Sequence, residues 1–240
     1  MIDSDSKNLY SVSPDWEHYE EFINHDNRYG SYINEKYFKY IKKPIENVVI
    51  LGCNFNRYTK PILEVYKPEK IYTFEADPDL AEKCINNPVE KTVCTHAAVY
   101  DKDEPVEFYP SDDKGQGSLY ERYNGKDNPH NPSGNEIQNE KIVVPGIRLD
   151  TFFSSTPDIK IDLLCMDIQG AELPALKGLG SMLENVSYII AEIPKRDEFN
   201  YHYNDYTVSD IYSFLERAGF SAVEKDQENY IEDNVFFVGN

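Results

Sequence analysis

The stretch Asn47–Asp77, NVVILGCNFNRYTKPILEVYKPEKIYTFEAD, decides how the rest of the chain is read. Its apolar run Val48–Leu51 stops at Gly52. A helix-like segment from about 56 to 66 follows, with Tyr58, Ile62, Leu63 and Val65 as its apolar positions, and a second apolar run, Ile71–Phe74, ends in Glu75. Strand, glycine turn, helix, strand and acid form the pattern of a nucleotide-type ligand site. The glycine admits a ligand close to the backbone, and the acid accepts hydrogen bonds from both hydroxyls of a ribose.

Downstream, the same alternation repeats. Asp77-Pro78 starts another helix, with Leu80, Cys84 and Ile85 inward. Thr92–Val99 is a third apolar run and brings His96-Ala97-Ala98 to its end. Val106–Tyr109 alternates like a short strand. Residues 111–140 are dominated by Gly, Asn, Asp, Pro and Ser and read as a long loop of the lid or binding-loop kind. Lys141–Ile147 alternates again, interrupted at Pro145-Gly146, and Leu149–Phe153 is a helical turn. Ile161–Met166 is the nearly continuous apolar run of a central parallel strand, ending at Asp167. Gly170-Ala171-Glu172 opens a helix carrying Leu173, Leu176, Leu179 and Leu183. Val186–Ile193 is another buried strand with Glu192 near its end. Thr207–Ala218 is an amphipathic helix closed by Gly219, and Phe220–Val223 pairs with Asn234–Val238 as an antiparallel hairpin.

Strands alternating with helices predict an α/β fold, a mostly parallel sheet covered on both faces. Ligands of such sheets bind beyond the carboxyl ends of the strands, where the strand order reverses. Gly52, Asn54, Glu75, His96, Asp167 and Glu192 all fall at that end. Residues 1–45 read as a helical extension ahead of a domain spanning 46–240. Ser13-Pro14 starts a first helix with Trp16, Tyr19, Phe22 and Ile23 on one face. Ile33, Tyr37, Tyr40 and Ile41 form the stripe of a second, ended by Pro44. These helices pad an edge of the core, or lend tyrosines to the wall of the cleft.

Composition removes several function classes. A formal net charge of -19, from 43 acids against 24 lysines and arginines, argues against a nucleic-acid partner. The short Lys39, Lys42, Lys43 cluster reads as a solvated helix face. No run of 18 apolar residues is present, so no membrane span is expected, and the first residues carry no secretory pattern. The four cysteines, Cys53, Cys84, Cys94 and Cys165, lack CxxC spacing and lie in apolar segments. They read as buried, reduced thiols in a cytoplasmic protein, with no metal site among them.

The turn Gly52-Cys53-Asn54-Phe55-Asn56 has one glycine, which disfavours a pyrophosphate-cradling GxGxxG turn. Neither a P-loop, an HExxH motif nor a GxSxG elbow occurs. A ligand with a ribose and no phosphate fits better, and S-adenosylmethionine is one.

At this point the chain resembles the FkbM-type S-adenosylmethionine-dependent methyltransferases, from about Val48 to Phe220. The resemblance rests on VVILGCNFN, YTFEADPDL, THAAVYDKDEPVEFY, GQGSL, VPGIRLDTFF, LLCMDIQGAELPALKGL and YIIAEI, and above all on Met166–Glu172. It implies a class I methyltransferase fold, Rossmann-like, with a seven-stranded sheet whose last strand is antiparallel. It also implies O-methylation of a hydroxyl on a sugar, a glycan or a glycosylated natural product. Gly52 and Asn54 match the cofactor turn. Glu75, with Ala76 beside it, matches the ribose acid. His96 and Ala97 flank the adenine position, Ser118 matches a small-residue turn, and Asp167 and Glu172 match the fourth-strand motif. Ile50 stands where the family carries an acid, Asn56 where it carries a second glycine, and Gln169 where glutamate is common. These departures leave open a non-catalytic binding or scaffold role on the same fold, or a non-sugar small-molecule acceptor.

A hydroxyl acceptor must lose a proton, and a carboxylate or histidine at the site can take it. Asp167 is the first candidate base, Glu192 the second and His202 the third. Asp167 and Glu192 together offer oxygen ligands suited to Mg²⁺, which is not expected here. Each residue also has a plainer role. Asp167 caps the helix near Gly170, Glu172 favours that helix's dipole, Glu192 pairs with Lys195 or Arg196, and His96 is a packed strand end.

Overall fold

The structure is a computed structural model that describes residues 32–111, 115–121, 140–197, 204–227 and 231–240. Its centre is a seven-stranded sheet built from β1 (Asn47–Leu51), β2 (Lys70–Glu75), β3 (Thr92–His96), β8 (Ile161–Met166), β9 (Val186–Pro194), β10 (Phe220–Gln227) and β11 (Glu232–Gly239). The spatial order is β10-β11-β9-β8-β1-β2-β3. β11 runs antiparallel to both β9 and β10, while the β3-β2-β1-β8-β9 ladder is parallel throughout. From β1 the chain moves outward to β2 and β3, then returns to β8 on the other flank of β1. The order therefore reverses between β1 and β8, and a crevice opens beyond their carboxyl ends.

The apolar runs of β1 and β8 follow from burial on two faces. Val49, Leu51, Leu164 and Met166 enter one core cluster, whereas Val48, Ile50, Leu163 and Cys165 enter the other. All six residues of β8 are buried. The charged one, Asp162, accepts from the backbone N–H groups of Glu46 and Asn47 at 2.9 and 3.0 Å. α2 (Thr59–Tyr66) and α3 (Pro78–Asn86) follow β1 and β2, α5 (Glu172–Lys177) follows β8, and α6 (Val208–Arg217) precedes β10. α6 begins in a capping box between Thr207 and Asp210, and Gly219 behind it adopts φ +90°.

Three expectations shift. The helix expected from about 56 starts at Thr59, because Asn54, Phe55 and Asn56 all have positive φ and no α-helix passes through them. The run Thr92–Val99 divides at Ala97. The Ala97 N–H bonds to the Glu75 carbonyl, but that of Ala98 turns to Pro145. β4 (Ala98–Val99) then pairs with β7 (Gly146–Ile147) outside the main sheet. The stripe Ile33–Ile41 is helical only in α1 (Glu35–Phe38). Beyond it the chain serves tertiary contacts: the Tyr40 hydroxyl donates to the Val223 carbonyl at 2.9 Å, and the Lys42 N–H donates to the Tyr188 hydroxyl at 2.9 Å.

This segment covers a sheet face rather than an edge. Tyr37 stacks on Phe236 at 4.7 Å, Phe236 stacks on Tyr188 at 5.7 Å, and Tyr32 packs against Tyr58. Lys39 and Lys43 are not merely solvated, since they reach Glu224 at 2.8 Å and Asp162 at 3.6 Å. The first helix, with Trp16, Tyr19, Phe22 and Ile23, lies outside the described residues, as does most of the 1–45 extension. The long loop begins and ends in a short ladder, β5 (Val106–Phe108) with β6 (Ile142–Val144), reinforced by a bridge between Tyr109 and Ser118. α4 (Leu149–Phe152) is the helical turn expected there. Among the described residues, no helix is long and apolar enough to cross a membrane.

Candidate active site

Two left-handed turns form the floor of the site, one after β1 and one after β8. At the first, Gly52 has φ +76°, and a Cβ added there would lie 2.0 Å from the Asp167 carbonyl oxygen. Only glycine permits both the conformation and the approach of the two strand ends. Asn54, Phe55 and Asn56 follow at φ 34°, 57° and 61°. Asparagine tolerates this region better than most side chains. Asn56 thus adopts the backbone shape for which a second glycine would be suited, and its Oδ1 accepts from the Thr59 hydroxyl at 3.3 Å.

The second turn is the MDIQGAE segment. Gln169 and Gly170 lie at φ 51° and 92°. Glu172, buried, turns its Oε1 back to accept from the N–H groups of Ile168 at 3.4 Å and Gly170 at 3.3 Å. The outward carbonyls are taken by distant residues. Ser118 donates to the Gln169 carbonyl at 2.6 Å, while Asn204 (3.2 Å) and the Tyr206 hydroxyl donate to that of Gly170. Asp167 does not cap the helix, because α5 begins behind Ala171 with no side-chain cap. Its Oδ1 accepts instead from the Gln169 amide at 2.8 Å, and the same amide donates to Glu192 Oε2 at 3.1 Å. In the sequence Gln169 marks only a replacement for glutamate. Here it links the first two candidate bases.

Between the turns lies a cleft lined by Gly52, Glu75, Ala76, Ala97, Ser118 and Asp167, all named from the sequence. Asp77, Leu80, Phe108, Gly115, Leu119 and Gln169 also line it. Nothing in the local sequence marks Leu80 or Phe108 for this role. They arrive through the packing of α3 and of the β5 ladder. Asn54, His96, Glu172 and Glu192 stand behind the lining. Asn54 gives its N–H to Glu75 Oε2 at 3.0 Å, and a Cβ on Gly115 would collide with its side-chain amide at 2.3 Å. His96 meets the Ala76 carbonyl at 3.3 Å through Nε2, the packed strand-end role. His202 lies outside the described residues.

Glu75 is 6% exposed, with one oxygen on the Asn54 N–H and the other on that of Asp77 at 3.0 Å. Burial pushes its carboxyl up to about 7, although backbone donors pull the other way. Burial also raises Glu172 to about 7, again against its backbone hydrogen bonds. The Tyr32 hydroxyl is pushed well up by burial, with Asp167 and Glu192 among the negative charges that add to it. One tyrosine of the N-terminal region thus stands near the candidate bases.

These residues fit S-adenosylmethionine. Glu75 keeps acceptor capacity for a ribose, Leu80, Ala97, Phe108 and Leu119 offer an apolar slot, and the Gly52 turn admits close backbone approach. Residues 54–222 match the methyltransferase FkbM domain. The chain belongs to the FkbM methyltransferase family. It is 27% identical over 158 residues to a 2-O-methyltransferase, NoeI, of Sinorhizobium fredii, a match covering 63% of this chain. That match spans 65% of the relative's own length. In fold it resembles an S-adenosylmethionine-dependent methyltransferase from Clostridium acetobutylicum, with a TM-score of 0.50 at 9% identity over 92% of this chain and 96% of that one. The seven-stranded, mostly parallel sheet is the class I methyltransferase architecture expected from the sequence.

Proposed function

We propose that this chain methylates a hydroxyl of a sugar, a glycan or a glycosylated natural product, with S-adenosylmethionine as methyl donor. The observation that carries the reading is Asp167. Its residue lines the cleft at the end of the central strand, and its carboxylate is oriented by the Gln169 amide, which also holds Glu192. The activity of NoeI, a 2-O-methyltransferase, supports a hydroxyl acceptor.

Bound S-adenosylmethionine supplies an electrophilic sulfonium methyl whose departure leaves a neutral thioether. Glu75 would hold the ribose, and the Gly52 turn would receive the amino-acid end. Asp167 would accept the acceptor hydroxyl's proton, and Glu192 supports that carboxylate through Gln169. With a good leaving group, positioning supplies much of the catalysis. Asn204 and the Tyr206 hydroxyl anchor the chain ahead of α6 to the Gly170 carbonyl, in the turn that carries Asp167. No step requires Mg²⁺. The chain works in the cytoplasm on a free or carrier-linked acceptor, and its net charge of -19 disfavours nucleic acid.

Calorimetric titration with S-adenosylmethionine and its demethylated product, followed by a methyl-transfer assay on a glycan panel, tests this. Asp167→Asn is expected to lower turnover by about 100-fold or more while cofactor affinity changes little, the usual size of a lost general base. Unchanged turnover would remove Asp167 as the base. Absence of cofactor binding at millimolar concentration would instead favour the scaffold role.

A further inference from the structure

Cys53, Cys84 and Cys94 come from three separate elements: the turn after β1, the inner face of α3, and β3. Their spacings of 31 and 10 residues match no metal-binding pattern, yet their sulfurs all lie within 4.8 Å of one another. Cys53 Sγ and Cys84 Sγ are 3.4 Å apart. A metal with S–metal bonds of about 2.3 Å in tetrahedral geometry holds its sulfurs roughly 3.8 Å apart, so small side-chain adjustments complete the site. Cys53 and Cys84 are buried and Cys94 is half-buried, which leaves one side for entry and for a fourth ligand. The fourth cysteine, Cys165, is buried outside the cluster and serves as an internal contrast.

A second observation points to the same place. Thr73 stands opposite Cys94 in the β2–β3 register and is wholly buried, with the Cys94 sulfur as the acceptor its hydroxyl faces. A buried hydroxyl donor without an acceptor is costly, and a neighbouring thiolate supplies the acceptor.

We propose that Cys53, Cys84 and Cys94 form a three-thiolate site for one thiophilic cation of the Zn²⁺ and Cd²⁺ class. The site clamps the left-handed turn from Gly52 to Asn56 against α3 and β3, directly behind the cofactor cleft. It does not depend on the identity of the methyl acceptor.

Cd²⁺ titration of the reduced full-length chain tests it through the ultraviolet thiolate-to-cadmium charge-transfer band, to which carboxylates do not contribute. The expected result is saturation at one equivalent, competition by Zn²⁺, and protection of Cys94 from alkylation as followed by mass spectrometry. Cys53→Ser, Cys84→Ser and Cys94→Ser are each expected to weaken binding at least tenfold, whereas Cys165→Ser leaves it unchanged. Should a serine variant fail to fold, the titration and alkylation of the unmodified chain still decide. No charge-transfer band, no protection, or full binding by Cys94→Ser would overturn the proposal. So would a chain that takes up no Cd²⁺ but forms a Cys53–Cys84 disulfide on oxidation, which would make the cluster a redox pair.

Discussion

The turns after β1 and β8 solve one problem in two ways. Each ends a central strand, each passes through positive φ, and each presents backbone N–H to a buried glutamate, one group after β1 and two after β8. The β8 turn is closed by Glu172, five residues beyond Asp167 and within the same motif. The β1 turn is held by Glu75, which arrives from the next strand after a helix. The local device is written in one contiguous word of sequence, whereas the other needs β2 in register beside β1 before its carboxylate can act. The β1 turn is therefore the one more exposed to tertiary disturbance, and the sulfur cluster adjoins that turn.

Exchanging the two glycines gives the largest expected break between them. Gly52→Ala meets both a left-handed backbone cost of about 1–2 kcal/mol and an overpacking cost of about 1–3 kcal/mol against the Asp167 carbonyl. Gly170→Ala bears the backbone cost of about 1–2 kcal/mol. Denaturant unfolding of both variants checks this, and equal losses would deny the close approach at Gly52.

Next in size is the pH response. Both glutamates have carboxyls raised from an ordinary 4.5 to about 7, so the folded chain holds more protons than the unfolded chain between those values. Their contribution to stability is present below about pH 4.5 and is lost as pH rises through about 7, by a few kcal/mol at most for each. Glu75→Gln and Glu172→Gln are each expected to flatten that decline in thermal unfolding followed from pH 5 to pH 8 (roughly the window bounded by the ordinary and raised values). Glu75→Gln should in addition weaken cofactor binding, whereas Glu172→Gln should spare it. Equal loss of binding in the two would place both carboxylates at the ligand.

Smaller still is Ser118→Ala, which leaves the Gln169 carbonyl without its donor and is expected to cost about 1–2 kcal/mol. Its turnover loss should exceed its loss of cofactor affinity if the β8 turn positions Asp167. The smallest effect is expected for Asn56→Gly. Replacement by glycine relaxes the left-handed backbone but frees the unfolded chain, for a net change within about 1 kcal/mol. Replacement by alanine should cost about 1–2 kcal/mol, and a difference between the two variants measures the strain held there.

The parts of this protein visible in its sequence are those with local causes. Apolar runs of strand length, glycine at a forced left-handed turn, and acids at strand ends identified β1, β2, β8 and β9 and placed Gly52, Glu75 and Asp167 at one end of the sheet. Pairwise register and side-chain meeting were not visible, because they depend on which strand lies next to which. Only the folded sheet showed that Gln169 joins Asp167 to Glu192, that Leu80 and Phe108 wall the cleft, and that Ala97 carries the chain out of the main sheet. Three cysteines scattered over 42 residues became one cluster for the same reason. Local chemistry acts over a few residues and leaves a pattern in them, whereas β2 laid beside β1 and α3 laid across them bring together side chains whose separation along the chain carries no sign of it.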